Sequence, residues 1–179
     1  LFKDSEVAEK ARIMRDHGMS RDKRYWHEMV GYNYRLTNLQ AAVGVAQMEK
    51  IHVILQKKIE ISEFYTTHLR GNKGIVKLPI NVKNFLHSNW LFGIVLDQRL
   101  DRDKIILELL ELGIETRPFF FSLHTMPPYL KYKASNNLEN SKKLSQNGLS
   151  LPTSPGLKND ELNFISQSVL TVIHKAWKT

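Results

Sequence analysis

Apolar residues recur along this chain at two different periods, and the places where the period changes mark its parts. Val7, Ala8, Ala11 and Met14 fall at helical steps, so a helix is expected from Asp4 to His17. Asp4 or Ser5 can cap its start and Gly18 follows as its stop. From Met19 to Met29 no period holds. That stretch carries Arg21, Lys23, Arg24, Tyr25, Trp26 and His27 and reads as a loop with structure of its own, since linkers seldom carry Trp and Tyr. Thr37-x-x-Gln40 then has the spacing of a capping box. Behind it Leu39, Ala42, Val43, Ala46, the Lys50 stem, Ile54 and Ile61 share one face of a helix expected to run to His68. Gly44, among small residues in its first turns, suggests that another backbone packs closely there.

Beyond Gly71 the period shortens. Gly74–Pro79 and Trp90–Leu96 read as strands, Leu100–Leu112 as a helix capped by Asp101, and Ile114–Arg117 as a third strand. Pro118 to Tyr129 is too rich in aromatics and proline for regular helix. A short helix is expected within Asn136–Asn147 and an extended piece at Gly148–Pro152. A final helix from Asn159 carries Leu162, Ile165, Val169, Val172, Ile173 and Ala176 on one face. This succession predicts an α+β fold with a small antiparallel sheet flanked by helices.

Composition narrows the function classes. With 179 residues the chain can bury a sizeable core. Its net charge of +8 raises a basic, nucleic-acid-binding domain as a rival reading, one that a steep salt dependence of binding would favour. The basic residues lie in short scattered pairs such as Lys57-Lys58 and Lys142-Lys143, and they form no continuous helical stripe, which argues against that rival. Zero cysteines exclude disulfides and thiolate metal sites and suit a reducing cytoplasm. No apolar run approaches the roughly 20 residues of a membrane span, and no signal-peptide pattern opens the chain. The histidines show no paired metal-ligand spacing, and Walker, dinucleotide and nucleophile-elbow motifs are missing.

The candidate chemistry gathers just before the capping box. Asn33 and Arg35 offer an uncharged amide donor and a planar guanidinium, between the rings of Tyr32 and Tyr34, where an anion could be met. The bland alternative is a turn asparagine and a solvated surface charge.

The stretch from Gly31 through Tyr32-Asn33-Tyr34-Arg35-Leu36-Thr37-Asn38-Leu39-Gln40 to Gly44 resembles a segment of the DegT/DnrJ/EryC1/StrS family of sugar aminotransferases. So do Ala11–Gly18 before it and Gly113–Phe120 with Leu123-His124 after it; Lys23–His27 is most similar to the perosamine-synthase branch. The resemblance implies the C-terminal part of an aspartate-aminotransferase-like enzyme. Residues 1–70 would end the large cofactor domain and form a long connecting helix, and residues 71–179 would form the small domain. It implies pyridoxal 5′-phosphate as cofactor, with glutamate and a nucleotide-linked 4-keto-6-deoxy sugar as substrates. The imine-forming lysine would lie upstream, leaving this piece inactive alone; a related 3-dehydratase, distinguished by that upstream residue, is the alternative.

By the same resemblance, Asn33 binds the cofactor phosphate in a homodimer neighbour's site, and Arg35 meets either that phosphate or the donor's carboxylate. Tyr25, Trp26 and His27 line the sugar-nucleotide pocket or pack at the dimer interface. Arg117 meets a carboxylate or diphosphate, or forms a structural ion pair. His124 borders the substrate entrance or simply packs.

Overall fold

The computed structural model describes residues 2–80, 82, 84–132 and 138–178. They form two compact units, Leu1–Ile51 and His52–Thr179. Sequence placed a domain boundary after residue 70. In the structure the helix ending at Leu69 joins the second unit, because its Ile61, Tyr65 and Leu69 sit in that unit's core.

The first unit begins with α1 (Ser5–Arg15), whose N-cap Asp4 accepts from the backbone N–H groups of Glu6 and Val7. After the irregular residues comes α2 (Asn38–Glu49). The Thr37 hydroxyl accepts from the Gln40 N–H, and the Gln40 side chain accepts from the Thr37 N–H at 2.9 Å, closing the capping box. The expected single long helix is interrupted at Lys50, whose N–H turns back to the Gln47 carbonyl, and α3 (Ile51–Leu69) follows. The apolar face expected on α2 is uncovered among the described residues. No α2 residue is buried, Leu39 is 77% exposed and Val43 58%, and among the described residues a Cβ on Gly44 would meet nothing.

The second unit is built on a four-stranded antiparallel sheet of β1 (Ile75–Lys77), β2 (Phe92–Leu96), β3 (Arg117–Pro118) and β4 (Gly148–Leu151), in the order β1-β2-β4-β3. Alternation along β2 sends Phe92, Ile94 and Leu96 into one core. They meet α3, α4 (Arg102–Glu111) and α6 (Asn159–Lys178), whose Leu162, Ile165, Val169, Val172 and Ile173 form the face that the spacing predicted. The opposite sheet face carries Gly93 and Gly148, and the Phe119 ring lies directly over both.

The third strand is shorter than expected. Gly113, at φ 79°, and Ile114 donate back to Leu110 and Leu109 of α4, so the chain is still closing that helix where a strand was anticipated. Burying Ile114 beside Leu109 secures the turn. Leu110 and Leu112, expected on the apolar face of α4, are largely exposed. Two short 3₁₀ turns, Leu123–Thr125 and Pro127–Tyr129, occupy the proline-rich stretch. Helix α5 covers Glu139–Asn147; residues 136 and 137 of the helix expected there lie outside the described residues. Among the described residues no helix is long and apolar enough to cross a membrane.

Tyr65 ties α3 to the end of β4, its hydroxyl donating to the Pro152 carbonyl at 2.9 Å. Burial pushes its phenol pKa far above the ordinary value of 10.0. The unfolded chain therefore loses this proton first, so the stabilisation is complete below about pH 10 and is lost as pH rises further. Tyr65→Phe should cost about 1 kcal/mol at neutral pH through the lost hydrogen bond. It should also flatten the alkaline fall in stability, as urea unfolding at pH 8 and above 10 would show.

Candidate functional site

The turn after α1 organises the first unit. His17 and Gly18 adopt left-handed conformations at φ 60° and 69°, reversing the chain while the Gly18 N–H donates to the Ile13 carbonyl. The next two orphan carbonyls of α1 are taken from outside the helix. Tyr32 N–H donates to Met14 at 2.7 Å and Tyr34 N–H to Arg15 at 3.0 Å, while His17 N–H donates to Tyr32 at 2.9 Å. Gly18 and Gly31 cross so closely that a Cβ on Gly31 would overlap the Gly18 nitrogen. The extended segment from Gly31 to Arg35 is thus fastened along the end of α1.

This fastening presents Asn33 and Arg35. Asn33 pairs through its backbone with Asp16, and its exposed carboxamide has no hydrogen-bond partner among the described residues. Arg35 stands 3.3 Å from Asp16 Oδ1 as an ion pair, half exposed, without hydrogen-bond alignment. Tyr32 and Tyr34, two apart on extended chain and so on one side, stack with centroids 5.3 Å apart. Asp16 was not singled out from sequence, although an acid directly before the left-handed turn is the signal that marks it.

The same turn holds the aromatic loop. Met19 pairs with His27, Glu28 N–H donates to the Gly18 carbonyl, and His27 Nδ1 lies 2.9 Å from the His17 carbonyl. A carbonyl only accepts, so Nδ1 carries the proton in that contact, leaving Nε2 for another partner. Tyr25 sits at φ 64° and is 73% exposed; Lys23 Nζ lies 4.1 Å from the Trp26 ring centroid. Tyr25, Trp26, His27, Asn33 and Arg35 are therefore brought together on one framework.

Arg117 and His124 belong to the second unit. Arg117, on β3, pairs with Glu115 at 3.3 Å with both side chains exposed. Arg117 and Glu115 border a cleft of about 460 Å³ whose walls include Leu151, Thr153, Phe164 and Ile165; His124 does not line it. His124 lies half-buried in a 3₁₀ turn, its Nε2 shielded and without a hydrogen-bond partner among the described residues.

The model of the DegT/DnrJ/EryC1/StrS aminotransferase family matches residues 1–170. The chain is 39% identical to GDP-perosamine synthase of Vibrio cholerae, over 91% of this chain and 44% of that protein. It is 36% identical to GDP-perosamine synthase of Caulobacter vibrioides, over 89% of this chain and 43% of that protein. It thus spans less than half the length of these curated relatives. Among solved structures, DesV of S. venezuelae superposes with TM-score 0.82 at 26% identity, over 97% of this chain and 46% of that one. The Helicobacter pylori aminotransferase PseC, at 24% identity, shares the fold with TM-score 0.85 over 96% of this chain and 47% of that one. The α+β architecture is accordingly that of the corresponding part of these aminotransferases, and the chain belongs to the DegT/DnrJ/EryC1/StrS family.

Proposed function

We propose that the intact protein carrying this chain is a pyridoxal 5′-phosphate-dependent aminotransferase moving the amino group of glutamate to C4 of a nucleotide-linked 4-keto-6-deoxy sugar. The observation that carries the reading is the framed Asn33–Arg35 segment, within a chain whose family match runs over residues 1–170. The similarity to GDP-perosamine synthases favours a GDP-linked sugar.

The residues present suit the cofactor. The exposed Asn33 carboxamide, without a hydrogen-bond partner among the described residues and on a fixed backbone, can donate to a phosphate oxygen without adding charge. Arg35, held by Asp16, offers its remaining N–H groups to a carboxylate or phosphate. Pyridoxal phosphate, when bound, supplies the electron sink for amino transfer. Tyr25, Trp26 and His27 give flat faces and a ring nitrogen to a base or sugar, and in the second unit Arg117 and His124 remain candidates for substrate contact.

Helix α2 leaves apolar side chains uncovered on two sides, Leu39 and Val43 on one and Val45 and Met48 on the other, all more than half exposed, which suits a second copy of the chain. In such a homodimer Asn33 would serve its neighbour's cofactor, and the open space at Gly44 would admit the close approach that the sequence suggested.

The test uses the full-length protein with glutamate and a GDP-linked 4-keto-6-deoxy hexose. The amino sugar is expected as product, and a 3-deoxy product instead would assign the dehydratase. Asn33→Ala should weaken cofactor retention roughly tenfold, the worth of one hydrogen bond to a charged group. Unchanged affinity by cofactor titration would remove Asn33 from the site.

A further inference from the structure

A second concavity in the first unit lies against the end of α1. It encloses about 390 Å³ and is lined by Arg12, Arg15, Arg21 and Arg24 together with Asp16 and Ser20. Arg12 and Arg15 are three apart on the helix, as Arg21 and Arg24 are on the loop, so two independent segments each contribute two arginines to the lining of one space. Glu9 answers two of them, at 3.1 Å from Arg12 and 3.0 Å from Arg21, and Asp16 is paired with Arg35. Arg15 and Arg24 have no carboxylate partner among the described residues; Arg24 only approaches the Tyr25 ring, at 5.0 Å.

The negative end of the α1 dipole accounts for a cation or two here, at a few tenths of a kcal/mol each. It does not account for four lining one concavity, two of them without a carboxylate partner among the described residues. We infer that this pocket is a binding site for a phosphorylated anion. Arginine forks engage the several oxygens of a phosphate or diphosphate simultaneously, and the Ser20 hydroxyl adds an uncharged donor. A phosphate presents three or more oxygens to Arg15, Arg24 and Ser20 together, whereas a carboxylate presents two. Two sources share this chemistry, a free phosphate or pyrophosphate and the diphosphate of a nucleotide; only the second rests on the reading under Proposed function. The exposed rings of Tyr25 and Trp26 directly follow Arg24, where a nucleotide's base could stack.

Inorganic pyrophosphate titrated into the intact protein by calorimetry is the probe. It should bind in a salt-dependent way, and Arg15→Gln with Arg24→Gln should weaken it by roughly tenfold or more, with circular dichroism unchanged. The single variant Arg24→Gln, on the exposed loop, should give a smaller loss in the same direction and guards against misfolding of the double one. GDP competing with pyrophosphate assigns the pocket to the nucleotide, and GDP binding without competition assigns it to a free anion. Pyrophosphate that does not bind the wild type, or that binds the variants equally well, overturns the inference. Because this readout needs no sugar and no turnover, it stands whether or not the transamination assay succeeds.

Discussion

Replacing Gly31 with alanine is expected to cost the intact protein most of its cofactor affinity, without touching any group proposed to contact the cofactor. An alanine Cβ at this position would overlap the backbone nitrogen of Gly18 and crowd the His17 carbonyl carbon. Where side chains can yield, one extra carbon in a packed site costs about 1–3 kcal/mol. Here the obstacle is backbone, and it is held. Relief requires breaking His17 N–H to Tyr32 or Tyr32 N–H to Met14, the bonds that lay the Asn33–Arg35 segment along α1. The effect should therefore reach the upper end of that range, and about 3 kcal/mol corresponds to more than a hundredfold in an equilibrium constant. A cofactor titration of Gly31→Ala measures it, with proteolysis of the first unit as a second readout. Wild-type affinity would mean that the crossing of the two glycines does not position the site.

That crossing also shows what can be read from residues in order and what cannot. The capping box at Thr37 and Gln40, the Asp101 cap and the buried stripe of α6 were all legible, because each depends on neighbours three or four residues away. The family match supports the aminotransferase reading carried by Gly31–Gly44 and its companion motifs. The break at Lys50 was not legible, since the apolar spacing runs on through it while the backbone turns. The shortened third strand was hidden because an apolar isoleucine after a glycine suits a strand and a helix-closing turn equally well. The role of Asp16 and the grouping of four arginines depend on a loop folding back on a helix end, which no periodicity encodes. The same holds for Arg102, which sits in the first turn of α4 and reads as one more surface charge.

Arg102 is instead the buried clasp of the second unit, and Arg102→Met should destabilise that unit by roughly 3 kcal/mol. Its guanidinium donates at 2.9 Å to the Ser145 carbonyl and at 3.1 Å to that of Gly148, joining the C-terminal end of α5 to the first residue of β4. The Ser145 carbonyl is among the orphans at the end of α5, where a cation is favoured, whereas at the start of α4 the same charge opposes that helix's dipole. The favourable end prevails because Arg102 is only 8% exposed and directs its hydrogen bonds there. Asp103, 2.6 Å away, is a lesser contributor: its side chain is 75% exposed, and such pairs are worth at most about 1 kcal/mol. Asp103→Asn should consequently cost about 1 kcal/mol or less, while the methionine variant leaves the Ser145 carbonyl without its donor, takes one of two donors from the Gly148 carbonyl, and loosens the approach to β4. That approach is also where Phe119 rests on Gly148 and donates its N–H to the Gly148 carbonyl at 3.0 Å. Urea unfolding of the two variants separates the contributions: equal small losses would reduce Arg102 to one half of a surface ion pair, whereas a loss several times larger for Arg102→Met identifies the carbonyls of Ser145 and Gly148 as what the guanidinium holds.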